Sequence, residues 1–160
     1  MLPDYRVRQR DYLLEISRLL TEELDLQALL QRILRIAIEM LMGHAGFIAL
    51  KEEKRGWHIA VHEGMPEALL NYIQNWLESL PQVGEENGEI YVPEINRMLS
   101  EVSMGMITGV GINMIFQKEF IGQIYVFRNY RGAFSANDRA VLTSFANQAA
   151  IAVRNARLFN

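Results

Sequence analysis

Three histidines are the first residues to test for chemistry. His58 and His62 fall in the alternating stretch W-H-I-A-V-H. There Trp57, Ile59 and Val61 should point one way and His58, Ala60 and His62 the other. Two imidazoles on one strand face could reach one ion, and His44 would supply a third neutral nitrogen. His44, however, precedes a different strand, and no carboxylate stands at a fixed inward spacing. The pattern reads as separate surface or pocket-lining histidines rather than a metal centre. The serines (Ser17, Ser79, Ser100, Ser103, Ser135, Ser144) sit in no G-x-S-x-G elbow. Gly105, Gly109 and Gly111 lead into a strand rather than from strand to helix, which argues against a dinucleotide loop. With 0 cysteines, thiolate metal sites, cysteine nucleophiles and thioether-linked cofactors are out of reach. No catalytic constellation emerges, and the expectation is a protein that is not an enzyme.

Binding is the remaining chemistry. Tyr72 and Trp76 lie four apart on a predicted helix and so share a face, as core or as a pocket lid. Met98, Met104, Met106 and Met114 cluster around a predicted short helix and the strand after it. Methionine is adaptable filler, suited to core packing or to a flexible apolar pocket wall.

These residues need elements to position them. Leu13, Ile16, Leu20 and Leu24 give a helix over Val7 to about Glu23. A break at Leu24-Asp25 makes Asp25 the N-cap of a second helix, ended by Gly43. A hairpin follows, G-F-I-A-L-K to W-H-I-A-V-H-E-G. Pro66 opens a third helix, E-A-L-L-N-Y-I-Q-N-W-L-E-S-L. The run E-I-Y-V is a short strand, and Ile95 to Ser103 a short helix. Two longer strands, T-G-V-G-I-N-M-I-F-Q and F-I-G-Q-I-Y-V-F-R-N, turn at Lys118-Glu119. In the last helix Ser135 caps the start with Asp138 three residues on. Val141, Phe145, Gln148, Ala149, Ala152, Val153 and Ala156 recur at helical spacing. Consecutive hairpins covered by helices make an α+β domain with a mainly antiparallel sheet. The first, second and last helices should share one face. The third and the short helix should cover the other, with a cavity between sheet and short helices.

The 160 residues fit one domain, 1–160, with its core at about 11–159. A net charge of −3 is the wrong sign for a nucleic-acid footprint. No apolar run reaches the roughly 18–20 residues of a membrane span, so no membrane contact is expected. The polar N-terminus shows no secretory signal, and the expected location is cytoplasmic. Residues 51–101 carry 4 basic and 10 acidic side chains, and residues 128–160 carry 5 and 1. This is either two solvated faces, or an acidic middle that disfavours anions with a basic tail that meets an acidic partner.

Four patterns together resemble a GAF domain, the small-molecule sensor module of bacterial signalling proteins and phosphodiesterases. They are L-L-E-I-S-R-L-L-T-E-E-L-D-L-Q-A-L-L-Q-R-I-L-R-I-A-I-E-M-L, A-G-F-I-A-L with A-V-H-E-G, F-I-G-Q-I-Y-V, and F-S-A-N-D-R-A-V-L-T-S-F-A-N-Q-A-A-I-A-V-R-N-A-R-L-F. The resemblance covers about Asp11 to Phe159. It implies a six-stranded antiparallel sheet with terminal helices on one face and a pocket on the other. It also implies a homodimer through the terminal helices, and an output domain in the parent protein: a kinase, cyclase or transcription regulator. Cyclic-nucleotide-binding relatives carry an N-K…F-D-E pattern. The matching positions are Arg128, Asn129, Asn137, Asp138 and Arg139, and only the aspartate is kept, which argues against that ligand. Covalent bilin attachment and methionine-sulfoxide reductase activity need the missing cysteines. His62 matches a position where an aromatic stacks on the base, and the bulky third helix points to a smaller or more apolar cavity. The expected ligand-binding set is Gly46, Ile48, His62, Tyr72, Trp76, Met104 and Tyr125, for a small molecule, with no metal and no resident cofactor. Haem on a histidine is a minor competitor. A ligand-free dimerisation module with a filled interior is the alternative.

Overall fold

Helices cover the sheet from both sides in a computed structural model that describes residues 23–52, 54–78, 108–129 and 134–158. The elements are α1 (Glu23–Met40), β1 (Ala45–Glu52), β2 (Gly56–Glu63), α2 (Glu67–Glu78), β3 (Thr108–Phe116), β4 (Glu119–Arg128) and α3 (Ala136–Leu158). The strands form one sheet in the order β2-β1-β4-β3, and every neighbouring pair is antiparallel. This is the expected α+β architecture, with four strands among the described residues against the six that the resemblance implies. The predicted helix over Val7 to Glu23, the E-I-Y-V strand, the short helix from Ile95 to Ser103, and Met98, Met104 and Met106 lie outside the described residues, apart from Glu23 itself.

The two faces have different characters. On one, Leu30 and Leu34 of α1, Leu41 just after it, and Leu142, Ala146, Ala150 and Val153 of α3 pack on Ile48, Ile124 and Val126. Beside them Ala152 and Ala156 of α3 meet Leu26 and Leu29 of α1, and this seam joins the two long helices. On the other face, Ile73 and Leu77 of α2 pack with Phe47, Trp57, Tyr125 and Phe127. Gln74 of α2 accepts a hydrogen bond from the Ile59 backbone N–H at 3.0 Å, occupying an edge-strand donor of β2.

Several local expectations shift. Helix α1 already runs through Leu24 and Asp25, so Asp25 is inside the helix rather than its N-cap. E-L-D-L holds no Gly or Pro to break the turn. The C-terminus of α1 is a Schellman motif: Gly43 N–H reaches the Ile38 carbonyl at 2.8 Å and Met42 N–H that of Glu39 at 3.1 Å. The left-handed residue is Met42 (φ 55), one position before the glycine expected to end the helix. The β3–β4 turn is Gln117-Lys118, both with positive φ (50 and 69), one residue earlier than expected. In α3 the Ser135 cap forms as expected: Asp138 N–H donates to Ser135 Oγ at 3.0 Å, and Ser135 N–H donates to Asp138 Oδ2 at 2.9 Å. The buried stripe of α3 includes the expected Ala149, Ala152, Val153 and Ala156 and adds Leu142, Ala146 and Ala150, while Val141 and Phe145 are half-buried and Gln148 faces solvent.

The most consequential shift is in β2. Its register against β1 slips between Ile48↔Val61 and Ala49↔Ile59, leaving Ala60 as an extra residue. A bulge of this kind reverses which side chains face which way beyond it. Trp57 and Ile59 therefore join the α2 face, Val61 joins the α1/α3 core, and His62 comes level with Phe47.

Candidate functional site

The α2 face of the sheet carries a shelf of aromatic rings. Strand alternation aims Phe47 of β1 and Tyr125 and Phe127 of β4 to the same side. The Phe47 and Tyr125 rings stack at 5.5 Å with 7° between planes, and Tyr125 and Phe127 at 5.2 Å with 23°. The rings lie down because β3 offers no side chains beneath them. A Cβ on Gly111 would come 2.3 Å from the Tyr125 ring, and one on Gly109 2.7 Å from that of Phe127. The two glycines thus serve close ring approach, in line with their reading as sheet glycines rather than a phosphate loop. Trp57 and Phe120 extend the shelf, with ring centroids 5.5 Å apart. Offset aromatic contacts of this kind are rigid and apolar, and Phe47, Tyr125 and Phe127 are buried.

A polar pair borders the shelf. Gln123, fully buried two residues before Tyr125, donates from Nε2 to Asn113 Oδ1 of β3 at 3.0 Å. Convergent amides beside an apolar floor are a usual composition for a small-molecule site. Neither residue was in the expected set. Their signal was a polar residue at an inward position of each of two adjacent, otherwise apolar strands.

The expected residues divide between the two faces. Tyr125 is central to the shelf, beside Phe47, which was not in the expected set, and His62 sits at the exposed margin, in register with Phe47. Trp76 is half-buried against the aromatic cluster, whereas Tyr72 is exposed on α2. Gly46 and Ile48 face the other way. A Cβ on Gly46 would meet Leu34 and Ile38 of α1 as well as the Tyr125 backbone, and Ile48 belongs to the helix-side core. One floor therefore does not unite Gly46 and Ile48 with His62 and Tyr125, because successive residues of β1 alternate. Met104 lies outside the described residues. His58 is also on the helix side, opposite Leu50, so His58 and His62 do not share a face. Its side chain is 12% exposed, with Nε2 3.8 Å from Glu52 Oε1. Burial pushes the imidazole below its usual pKa, against the opposing pull of the Glu52 carboxylate.

Two positions matched to the cyclic-nucleotide pattern form a clamp instead. Arg128 donates from Nε and Nη2 to the Leu41 carbonyl, at 3.0 and 2.7 Å. Its Nη2 is also 3.4 Å from Asp138 Oδ2, and its guanidinium lies 3.9 Å over the Phe134 ring. The end of α1, the end of β4 and the start of α3 meet at one cation. Asp138 is held below the usual carboxylate range, chiefly by the Ser135 backbone N–H, with Arg128 contributing. Among the described residues no helix is long and apolar enough to cross a membrane.

A GAF domain family model matches residues 23–154. The fold is similar to that of the GAF domain/HD domain protein from Geobacter sulfurreducens, at 14% identity and a TM-score of 0.63, over 84% of this chain and 96% of that one. It is similar to the GAF domain from Acinetobacter phosphoenolpyruvate-protein phosphotransferase, at 13% identity and a TM-score of 0.60, over 96% of each chain. It is also similar to the phycoerythrobilin-bound GAF domain from a cyanobacterial phytochrome, at 12% identity and a TM-score of 0.59, over 94% and 96%. At these identities the likeness is one of fold.

Proposed function

The chain belongs to the GAF domain family, and from that premise we propose that it is a non-catalytic sensory module that takes a small molecule on the aromatic face of its sheet. GAF domains are regulatory, ligand-binding parts of signalling proteins. The observation that carries the reading is the Phe47–Tyr125–Phe127 shelf bordered by the Gln123–Asn113 pair. It suits a planar, largely apolar molecule with one or two polar groups for the amides. His62 would edge the ligand, and Trp76 and Tyr72 would close over it, with Met104 part of the same wall. Gly46 and Ile48 drop out of the proposed set, since they support the helix face. A bilin like that of the phytochrome relative could not be thioether-linked here, because the chain has no cysteine. The relay would run through α1 and α3 to an output domain in the parent protein, with a homodimer formed along these helices and two further strands completing the sheet.

A thermal-shift screen of planar heterocycles tests this. A binder should raise Tm by several degrees, and His62→Ala should weaken it about fivefold. A screen without any binder, or binding indifferent to both His62→Ala and Tyr125→Leu, would sink the reading. The second reading, a dimerisation module with a filled interior, draws on the burial of the shelf: Tyr125 is 0% and Phe127 3% exposed. It expects dimers in sedimentation with or without ligand, and a monomer at high concentration would dismiss it.

A further inference from the structure

Two adjoining cavities open at the β1–β2 hairpin end of the sheet. One, about 370 Å³, lies between α1, α3 and the hairpin, with Leu26, Leu30, Leu50, Ala60 and Val153 on its walls. The other, about 680 Å³, lies between the hairpin, the start of β4 and the last turns of α3, and is lined by Lys51, Lys54, Phe120 and Arg154 among others. Glu52 and Arg157 line both, so the two adjoin; the smaller sets Leu26, Leu30, Leu50 and Val153 beside Gln27, Arg55 and His58, and the larger has a basic mouth.

Among the described residues, the charges at the mouth do not cancel. Lys51, Lys54, Arg55, Arg154 and Arg157 stand against Glu52 and Glu119. Both acids already have neighbours: Glu119 Oε2 is 3.4 Å from Arg154 Nη1, and Glu52 lies beside His58. Lys54 and Arg55 make no ion pair among the described residues and are exposed. Arg157 donates from Nη2 to the Lys51 carbonyl at 2.9 Å, which fixes its guanidinium at the junction of the two cavities. A basic excess in a chain of net charge −3 focuses an anion there. A planar guanidinium matches a carboxylate better than an ammonium does.

We propose that these adjoining cavities bind a small carboxylate with a short unbranched apolar tail, its head at Arg157 and Arg55 and its tail between Leu30, Leu50 and Val153. The smaller cavity lies on the α1/α3 side of the sheet, the larger one reaches Trp57 and Phe120 at the end of the aromatic shelf, and the proposed contacts do not include Phe47, Tyr125 or His62. Its occupant touches α1 and α3 together. It therefore favours whichever spacing of the two helices fits it better, by its difference in affinity for the two spacings.

Calorimetric titration of the full chain at neutral pH with butanoate, pentanoate, hexanoate and hexylammonium tests the assignment. Affinity should rise about fourfold per added methylene, and hexylammonium should not bind. Arg157→Gln should weaken hexanoate tenfold or more and Lys54→Gln/Arg55→Gln severalfold, while His62→Ala should change nothing. Circular dichroism checks that each variant is folded. If Arg157→Gln is not, the exposed hairpin double variant carries the test. Absence of carboxylate binding, equal binding of hexylammonium, or affinity independent of chain length would overturn the proposal. So would affinity that falls with His62→Ala but not with the arginine variants.

Discussion

Arg128 shows how one side chain ends up governing a junction. Its stem is buried on β4, its guanidinium satisfies the last turn of α1, and Asp138 returns the charge from the first turn of α3. Removing it strands a helix-end carbonyl and unpairs a carboxylate at once. Arg128→Ala should cost about 2–4 kcal/mol in urea unfolding, and Arg128→Lys should recover only part, because an ammonium cannot reproduce the two-nitrogen grip on Leu41. His58 gives the residue scale its pH dependence. The fold holds His58 below the ordinary value of about 6.5, so the unfolded chain takes up the proton first as pH falls. Its share of stability is complete above about pH 6.5 and is lost on descent from there through the folded-state value. Urea midpoints at pH 7.5 and 5.5 should show this loss, and His58→Gln should reduce it. Asp138 acts at the acid end, where its depressed carboxyl contributes above the usual Asp range of about 3.8 and stops contributing as pH falls through its folded value.

At the scale of elements, two turns are made by residues that do not prefer them. Met42 adopts φ 55 while Gly43, the residue suited to it, sits one place later, where a Cβ would strike Val126 Cγ1 at 2.6 Å. Met42→Gly should therefore stabilise the fold by about 0.5–1 kcal/mol. Gln117-Lys118→Asn-Gly should do so by a similar amount, since both turn positions have positive φ. Each gain is readable as a rise in the urea midpoint. Gly111→Ala should act oppositely and cost about 1–3 kcal/mol, by driving a methyl into the Tyr125 ring. These elements also show what could be read in advance. The hairpins, α2 and the Ser135 cap were legible because alternation, helical spacing and capping are written within a few residues of one another. The bulge at Ala60 was not, because an extra residue follows from pairing between strands rather than from either strand alone. That one residue moved His62 to the shelf and separated it from His58. The Asn113–Gln123 pair was hidden for the same reason, since its two members are adjacent only across the sheet.

For the whole molecule, the sheet divides one long-helix face from one aromatic face, and in the proposed relay the α1–α3 pair is the part that an output domain would sense. Ile36 and Met40 on α1 and Ile151 and Leu158 on α3 are exposed apolar side chains on these helices. If the proposed homodimer forms there, Met40→Glu with Ile151→Glu should convert it to monomer in sedimentation velocity while circular dichroism stays unchanged. The seam between the helices is also unusual in what it is made of: Ala152 and Ala156 facing Leu26 and Leu29. Alanine has no rotamers, so the α3 side of this seam gives up no side-chain entropy when it forms and recovers none when it loosens. A small slide at this seam costs contact area but no side-chain entropy on the α3 side. The α3 side of the joint resembles a plain bearing surface, smooth methyl groups with no rotamers to engage, against the leucines of α1.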